Sequence, residues 1–327
     1  MKTITNRKLG SSDMEISPIG LGCWQFSKGS NAVGKYWDSL ADEDMNQIIK
    51  VSIENGIDWF DTAEVYGNGA SERVLAAALD EWNIGFDEVK LATKWWPLFR
   101  KAASIEKTIE RRKDALNQRP IDLYQIHQPF SVSSIKNQMK AMAELQKQGK
   151  VRNIGVSNFN EKQMREAHAV LAEDNLPLVS NQVKYSLLDR RIEKNGLLAA
   201  AKELETAVIA YSPLEQGLLS GKYHDNPEMI KKTSGPRKWM GKFKENQLPK
   251  TEPLVSLLKE YADQYNVTVS QIVLNWMINY HGSAVFVIPG ASKVKQAEEN
   301  AGAMTFSLTG EELEQISEEA WKVQLYK

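Results

Sequence analysis

IDLYQIHQPFSVSSIKNQMKAMAELQKQGKVRNIGVS (121–157) is the segment that best indicates how this chain folds. It begins with a short apolar run, IDLYQI (121–126), and ends with another, RNIGVS (152–157). Between them, residues 134–148 form an amphipathic helical pattern that stops before Gly149, with an apolar face of Ile135, Met139, Met142 and Leu145. A strand, a helix and a second strand in that order predict a βαβ unit with two parallel strands.

The same alternation continues on both sides of this unit. Further strand-like runs are ISPIGLG (16–22), IDWFD (57–61), VKLAT (89–93), LVSNQV (178–183), AVIAYS (207–212) and AVFVI (284–288). Helical patterns lie at 42–55, 71–80, 104–117, 160–172, 192–204, 253–265, 268–280 and 293–301. Ser104 is a candidate cap for the helix at 104–117, and Asn160 with Gln163 is a candidate capping pair for the helix at 160–172.

Eight predicted strands separated by helices indicate an α/β fold, a (β/α)8 TIM barrel in one domain over residues 1–327. Such a barrel needs about 250 residues, which the pattern from 16 to 301 supplies with one insertion. The alternative is an open doubly wound sheet. Its glycine-rich dinucleotide turn, G-x-G-x-x-G, is missing from GLGCWQF (20–26), so the barrel is favoured.

Composition excludes several classes of protein. The formal net charge is −1, from 41 basic and 42 acidic residues, so the sequence predicts neither a nucleic-acid partner nor a polybasic membrane surface. Cys23 is the one cysteine, which rules out an internal disulfide and favours a reducing compartment. Neither a signal-like run at the N-terminus nor a spanning stretch of about 20 apolar residues is found. We therefore expect a soluble, cytoplasmic protein; its oligomeric state is not predicted.

One segment interrupts the rhythm, KYHDNPEMIKKTSGPRKWMGKFKENQLPK (222–250), a predicted long loop after strand 7. It carries eight lysines and arginines against three acidic residues. Two interpretations stay open: a solvated surface insertion, or a flap over an anionic ligand at the C-terminal face of the barrel.

In a barrel, chemistry takes place where strands end and βα loops begin. Asp61 ends the second predicted strand and Tyr66 follows it, while Lys94 ends the third and His127 the fourth. A carbonyl that accepts hydride develops negative charge on oxygen and needs a proton donor nearby. Tyrosine is a poor donor near neutrality unless its phenolate is stabilised, so Lys94 is expected to stabilise Tyr66, and Asp61 to orient Lys94. His127 would hydrogen-bond the carbonyl oxygen.

Other reactions fit these residues less well. The four histidines, at 127, 168, 224 and 281, are scattered, so no metal site is predicted. GVSNF (155–159) lacks the second glycine of a nucleophile elbow. A Schiff-base lyase that uses Lys94 as its nucleophile stays open.

An ordered set of motifs, through nearly the whole chain, closely resembles the aldo-keto reductase superfamily, in particular its bacterial and plant-plastid branch. The motifs are FDTAEVYG (60–67), LATKWW (91–96), IDLYQIHQP (121–129), VRNIGVSNF (151–159), SNQVKYSLL (180–188), IAYSPL (209–214), GLLSGKY (217–223) and IPGASKVKQAEEN (288–300). The resemblance implies an NADP(H)-dependent oxidoreductase that reduces an aldehyde or ketone to the alcohol. It also implies a catalytic tetrad of Asp61, Tyr66, Lys94 and His127, with Tyr66 as general acid, and a β-hairpin plug at residues 5–17.

The resemblance further implies a nicotinamide-dinucleotide site. Its expected cofactor-binding residues are Gly22, Cys23, Trp24, Asp61, Ser157, Asn158, Gln182, Tyr211, Ser212, Pro213, Leu214, Gln216, Gly217, Ser220, Lys222, Gly290, Ser292, Lys293, Gln296, Glu299 and Asn300. Many members carry an arginine that clamps the 2′-phosphate, whereas SKVKQAEEN (292–300) offers only Lys293 and Lys295. We therefore expect NADPH or NADP+ as cofactor, with weaker use of NADH.

The substrate pocket is the least defined part. Trp24, Trp95, Trp96 and Phe130 follow strand ends and are expected to form an apolar mouth for a small or medium-sized carbonyl compound, such as a sugar-derived or pyridoxal-like aldehyde. A second function stays open beside catalysis: a nicotinamide-binding sensor subunit similar to the potassium-channel β-subunits, which share this fold and tetrad.

Overall fold

The computed structural model of the chain describes residues 4–29, 39–231 and 248–323. Ten strands are found there: β1 (Arg7–Lys8), β2 (Glu15–Ile16), β3 (Leu21–Gly22), β4 (Trp59–Asp61), β5 (Lys90–Trp95), β6 (Leu123–Ile126), β7 (Asn153–Ser157), β8 (Leu178–Lys184), β9 (Ala207–Tyr211) and β10 (Val285–Val287). Strands β3 to β10 form one eight-stranded parallel sheet in the order of the chain.

The first and last strands of this sheet meet, which closes it into a barrel. Parallel bridges join Ile19 to Val287 and Gly22 to Gly290. The backbone N–H of Gly20 donates to the carbonyl of Val287 at 2.9 Å, and that of Gly22 to the carbonyl of Pro289 at 3.1 Å. The predicted (β/α)8 architecture is therefore confirmed.

Helices connect the strands and cover the outside of the barrel. Their bounds are Asp42–Glu54, Ala70–Glu81, Ala103–Ala115, Ile135–Lys147, Glu161–Ala172, Arg191–Lys194, Leu197–Glu203, Lys222–Asp225, Glu228–Lys231, Leu248–Tyr265, Val269–Asn279, Val294–Gly302 and Gly310–Lys322. Each longer helix buries an apolar face, and the predicted capping box of Asn160 and Gln163 is confirmed. None of the helices in the described ranges is long and apolar enough to cross a membrane.

Three helix predictions need correction. Ser104 does not cap its helix: the cap is Ala102, and Ser104 lies in the first turn, where its hydroxyl accepts from the Trp95 indole. The helix predicted at 192–204 is two short helices, because Gly196 adopts a φ of 85° between them. The C-terminal helix Gly310–Lys322, with Thr309 and Glu312 as capping box, was missing from the predicted helices.

The N-terminal hairpin of β1 and β2 covers the N-terminal ends of the barrel strands. Leu9, Met14 and Ile16 pack in one buried apolar cluster with strand residues such as Trp59 and Phe286. Gly10, at the turn, has a φ of 56°, and a Cβ there would lie 2.4 Å from the carbonyl oxygen of Val179. The turn therefore approaches the start of β8 as closely as a glycine allows.

The predicted long loop at 222–250 is partly helical. The helices Lys222–Asp225 and Glu228–Lys231 occupy its beginning, and its last three residues belong to a helix that starts at Leu248 rather than at residue 253. Residues 232–247 lie outside the described ranges, so the choice between a surface insertion and a flap concerns residues that the structure does not describe.

Strand alternation places two kinds of side chain inside the barrel. In β5, Ala92 belongs to the apolar cluster under the hairpin, while Lys94, two residues later, is buried at the C-terminal end. In β4, Trp59 and Asp61 repeat this arrangement. The intervening side chains face the helices, since successive residues of a strand point to opposite faces. Polar side chains thus meet at the C-terminal end of the barrel.

Candidate active site

A cavity of about 640 Å³ opens at the C-terminal ends of the strands, and most of the predicted site residues line it. These are Gly22, Cys23, Trp24, Asp61, Tyr66, Trp96, His127, Ser157, Asn158, Gln182, Tyr211, Ser212, Pro213, Leu214, Gln216, Gly217, Ser220, Lys222, Gly290, Ser292, Gln296, Glu299 and Asn300. Lys94, Trp95, Phe130 and Lys293 are not among its lining residues. This volume lies within the range of small-molecule and cofactor sites.

Asp61, which lines the cavity, forms a buried ion pair with Lys94, which does not. The Lys94 Nζ lies 2.5 Å from Asp61 Oδ1 and donates to the carbonyl oxygen of Thr62 at 2.9 Å. Asp61 Oδ2 accepts from the side-chain amides of Gln182 at 2.8 Å and Gln125 at 3.2 Å. Both carboxylate oxygens are therefore bonded. The lysine is held as an ion-paired ammonium, which disfavours a Schiff-base nucleophile because that chemistry needs a neutral amine.

Tyr66 lies beside this ion pair, between two aromatic neighbours. Its ring stacks on Trp24 with centroids 6.1 Å apart and meets His127 edge-on at 5.6 Å, and Lys94 Nζ is 5.2 Å from the ring centroid. Burial, reinforced by the charge of Asp61, raises the pKa of the Tyr66 phenol well above its ordinary value of 10. Lys94, which is expected to stabilise the Tyr66 phenolate, is paired with Asp61, and its role toward Tyr66 stays a prediction.

His127 is a neutral neighbour of Tyr66. Burial, reinforced by the positive charge of Lys94, lowers the pKa of His127 well below its ordinary value of 6.5. Its Nδ1 is buried, with no hydrogen-bond partner in the part of the chain that the structure describes. Trp96 packs edge-on against the imidazole with centroids 5.1 Å apart. His127 can thus offer a hydrogen bond without bringing a charge into the cavity.

A polar corner adjoins these residues at the ends of β7, β8 and β9. Asn158, with a φ of 61°, donates from Nδ2 to Ser157 Oγ at 3.0 Å and accepts from the Tyr211 hydroxyl at 2.9 Å. Ser157 Oγ in turn donates to the carbonyl oxygen of Gln182 at 2.8 Å. Asparagine tolerates this left-handed conformation better than most residues, and the network fixes its side chain at the cavity wall.

The far end of the cavity carries polar atoms suited to a ligand. Asn300 Nδ2 and Gln216 Oε1 are buried and have no partner among residues 4–29, 39–231 and 248–323. A buried polar group without a partner is costly, and a bound polar ligand removes that cost. The residue set therefore fits a dinucleotide. Lys295 lies mostly in solvent, with its Nζ 3.9 Å from the Glu299 carboxylate. Lys293 occupies the N-cap position of the helix Val294–Gly302 and does not line the cavity.

Two of the four residues predicted to form the substrate pocket, Trp95 and Phe130, do not line the cavity. Trp95 is fully buried in the outer core and donates from its indole to Ser104 Oγ at 3.1 Å. The prediction for Trp95 is wrong because Lys94 points into the barrel, so its neighbour in β5 points outward. Phe130 is about half exposed at the rim, 5.6 Å from the Trp96 ring centroid.

The cavity also contains residues that the sequence did not single out: Gln25, Val65, Gln128, Thr268, Ser270, Ile288 and Pro289. Four of them directly adjoin predicted residues in the chain, and Ile288 is two positions from Gly290, so extending each motif could have found these five. Thr268 carries its own signal, since it forms a capping box with Gln271 at the start of the helix Val269–Asn279. Within the described ranges, no group of three or more His, Cys, Asp and Glu residues could hold a metal ion.

Comparisons with known proteins agree with this geometry. A sequence model described as Aldo/keto reductase family matches residues 18–320. An uncharacterized oxidoreductase of Mycobacterium tuberculosis is 37% identical over 307 residues, which are 94% of this chain and 90% of that protein. The chloroplastic pyridoxal reductase of Arabidopsis thaliana is 31% identical, over 95% of this chain and 85% of its own. The solved glycerol dehydrogenase of Gluconobacter oxydans is 28% identical with a TM-score of 0.82, over 96% and 94%.

Proposed function

The chain belongs to the aldo/keto reductase family, and on that premise we propose that it reduces an aldehyde or ketone to the alcohol with NADPH, with Tyr66 as the proton donor. One observation carries the proposal: Tyr66 and neutral His127 meet the buried Asp61–Lys94 pair in a cavity that also holds unpartnered polar atoms at its far end. No metal is part of the proposal.

We assign the cavity residues to the cofactor in two groups. Ser157, Asn158, Gln182 and Tyr211 would hold the nicotinamide, next to Tyr66. Residues of the loop after β9 and the helix Val294–Gly302 would hold the phosphates and adenosine, with Gln216 and Asn300 supplying their unpartnered atoms. When bound, the dihydronicotinamide supplies a hydride, and the residues of this chain orient the carbonyl and move the proton.

The proton step follows from the state of Tyr66. Because the raised pKa keeps its phenol protonated at neutral pH, Tyr66 is ready to donate from Oη to the substrate oxygen as negative charge develops there. An alkoxide is a stronger base than a phenolate, so this transfer is downhill. His127 would hold the same oxygen by a neutral hydrogen bond. The positive charge of Lys94, whose Nζ lies 5.2 Å from the Tyr66 ring centroid, would act against that of Asp61 on the phenolate that remains.

The substrate we propose is an uncharged aldehyde or ketone. Trp24, Val65 and Trp96 surround Tyr66 and His127 in the cavity, and such a wall favours apolar substituents on the carbonyl carbon. The pyridoxal reductase of Arabidopsis thaliana and the glycerol dehydrogenase of Gluconobacter oxydans are named for reactions that interconvert carbonyls and alcohols. We propose the same general reaction here.

Titration with NADPH and, separately, with NADH tests the cofactor assignment. Trp24 lines the cavity, so tryptophan fluorescence should respond, and calorimetry provides an independent readout. We expect tight NADPH binding and weaker NADH binding, followed by NADPH oxidation when a neutral aldehyde is added. Binding without oxidation of any aldehyde would instead favour a nicotinamide-sensing subunit, and the absence of binding by both methods would refute the proposal.

A further inference from the structure

Glu64 is a mostly buried acidic residue next to the proposed catalytic residues, and the proton-transfer step does not use it. It lies in the loop after β4, two residues before Tyr66, and its side chain is 12% exposed. Its Oε1 accepts from the backbone N–H of Trp96 at 2.5 Å and from the guanidinium of Arg100, and Arg112 lies 3.8 Å from its other oxygen. A mostly buried carboxylate with this many donors has a defined position.

The two arginines are themselves fixed. Arg100 also donates to the carbonyl oxygen of Trp96 at 3.1 Å and to the hydroxyl of Thr108 at 2.8 Å. Arg112 donates to the buried carboxylate of Glu72 at 2.8 Å. Glu64 therefore links the loop that carries Tyr66 to Arg100, which lies just before the helix Ala103–Ala115, and to Arg112 within that helix. It cannot shift without breaking several charge-assisted bonds.

Glu64 and Arg100 together fix the backbone of Trp96. Both its N–H and its carbonyl are bound, by Glu64 and Arg100, at the point where β5 ends. Its indole then lies edge-on to His127 at 5.1 Å and to Phe130 at 5.6 Å, on the wall of the cavity. The backbone N–H of Glu64 also donates to the carbonyl oxygen of Lys94 at 3.3 Å, which ties the same two loops together.

We propose that Glu64 is a positioning residue for substrate: together with Arg100 it fixes the backbone of Trp96, so that the indole forms a rigid wall against His127 for carbonyl compounds with a flat aromatic substituent. The inference rests on the proposed reductase function and refines its substrate class. The side chain of Glu64 does not line the cavity, but it is bonded to the backbone of Trp96, which does. We therefore expect the effect of Glu64 to pass through Trp96.

A double-mutant cycle tests this route. Glu64→Gln and Trp96→Ala are made singly and together, and kcat and KM for benzaldehyde are measured with NADPH. We expect Glu64→Gln to raise KM about tenfold, since a charge-assisted bond to the Trp96 backbone is weakened, with kcat and the Kd of NADPH changed by less than about twofold. In the Trp96→Ala background the same substitution should have no effect, because the wall is already gone.

Glu203→Gln is the matched control, since Glu203 forms a two-bond ion pair with Arg165 on the exposed surface, and neither residue lines the cavity. It should leave both constants unchanged. A KM increase of equal size in the Trp96→Ala background would overturn the proposal, as would an unchanged KM in Glu64→Gln alone.

The same cycle is also run on the Kd of benzaldehyde for the NADP+-loaded protein, measured by calorimetry. This readout does not require turnover, so a failure of the reductase function stays distinguishable from a failure of the positioning role. If the protein binds aldehyde without reducing it, Glu64→Gln should still weaken aldehyde binding about tenfold in the protein that retains Trp96 and have no effect in Trp96→Ala. Equal losses of affinity in both backgrounds would refute the positioning role of Glu64.

Discussion

The two ends of the barrel are built from the same strands, yet they contain opposite kinds of side chain. Under the hairpin, the interior is apolar; at the other end, it is polar and ionic. In three neighbouring strands the change takes two residues: Trp59 to Asp61, Ala92 to Lys94, and Leu123 to Gln125. Two strand residues span only about 7 Å, so stability and chemistry are separated by a short step along each strand.

Substitution at the polar end should separate activity from stability most strongly. We expect Tyr66→Phe to lower kcat by about 10²- to 10⁴-fold, because only the proton donor is lost, while the Kd of NADPH and the free energy of unfolding stay nearly unchanged. Steady-state kinetics measure kcat, fluorescence titration measures the Kd of NADPH, and urea unfolding measures the free energy of unfolding. Turnover equal to that of the native protein would refute the role of Tyr66.

Tyr124→Phe is the matched control for that variant. Tyr124 is fully buried in the outer core, and its hydroxyl has no hydrogen-bond partner in the described portion of the chain. Removing the hydroxyl should therefore leave kcat within about twofold of the native value. A large loss in this variant would show that a general effect of removing a buried phenol, rather than proton donation, explains the result for Tyr66.

Substitution at the apolar end should have the reverse effect. Phe286 is fully buried against Trp59, with ring centroids 6.4 Å apart. We expect Phe286→Ala to lower the free energy of unfolding by about 3–5 kcal/mol, since it leaves a cavity in the core, with the Kd of NADPH changed by less than about threefold. Phe86→Ala, at an exposed phenylalanine, should cost about 1 kcal/mol or less. If Phe286→Ala weakened NADPH binding but left the free energy of unfolding unchanged, the separation of stability at the apolar end from binding at the polar end would be wrong.

Glu72 extends the comparison to a third region, the layer outside the barrel. It is a buried acidic residue whose neighbours are Thr93, Arg112, Glu64 and Arg73. Burial raises its pKa from 4.5 to about 7, although Arg112 opposes this. The folded protein thus holds the Glu72 proton more tightly than the unfolded chain does. The associated stability is complete below pH 4.5 and is lost as the pH rises through 7.

The measurement is urea unfolding of the native protein and of Glu72→Gln at pH 5 and pH 8. Between these values we expect the native protein to lose stability relative to the variant, by on the order of 3 kcal/mol at most. Glu203→Gln is the control, because the exposed Glu203 has a lowered pKa and stays ionised over this range. Parallel changes in the native protein and Glu72→Gln would contradict the assignment.

Much of the fold could be predicted because local patterns and tertiary packing agree. The Asn160–Gln163 capping box and the apolar face of the helix Ile135–Lys147 are both readable from sequence, and both occur in the structure. The prediction that Ser104 caps its helix is wrong because its hydroxyl accepts a hydrogen bond from the Trp95 indole instead, a contact that the local sequence does not reveal. Gly196 interrupts a helix where the side-chain pattern alone is continuous.

The site was predictable where its residues end strands and unpredictable where position depends on contacts. Asp61, Tyr66 and His127 line one cavity, as their places at strand ends suggest. Both tryptophans of LATKWW (91–96) follow Lys94, so the motif alone predicts both in the cavity. The alternation of side chains in β5 turns Trp95 outward into the core, while Trp96 lines the cavity. Glu64 gave no signal, since its partners Arg100 and Arg112 lie 36 and 48 positions away in sequence.

The bridges of Ile19 to Val287 and Gly22 to Gly290 have a consequence for how the protein is made. The first barrel strand leaves the ribosome long before the last one, and until β10 arrives both outer strands of the growing sheet lack a partner. Exposed strand edges invite pairing with other chains, so partly synthesised chains need protection from aggregation. Because Gly22 and Gly290 also line the cavity, the nascent protein acquires a complete binding site only with its final quarter.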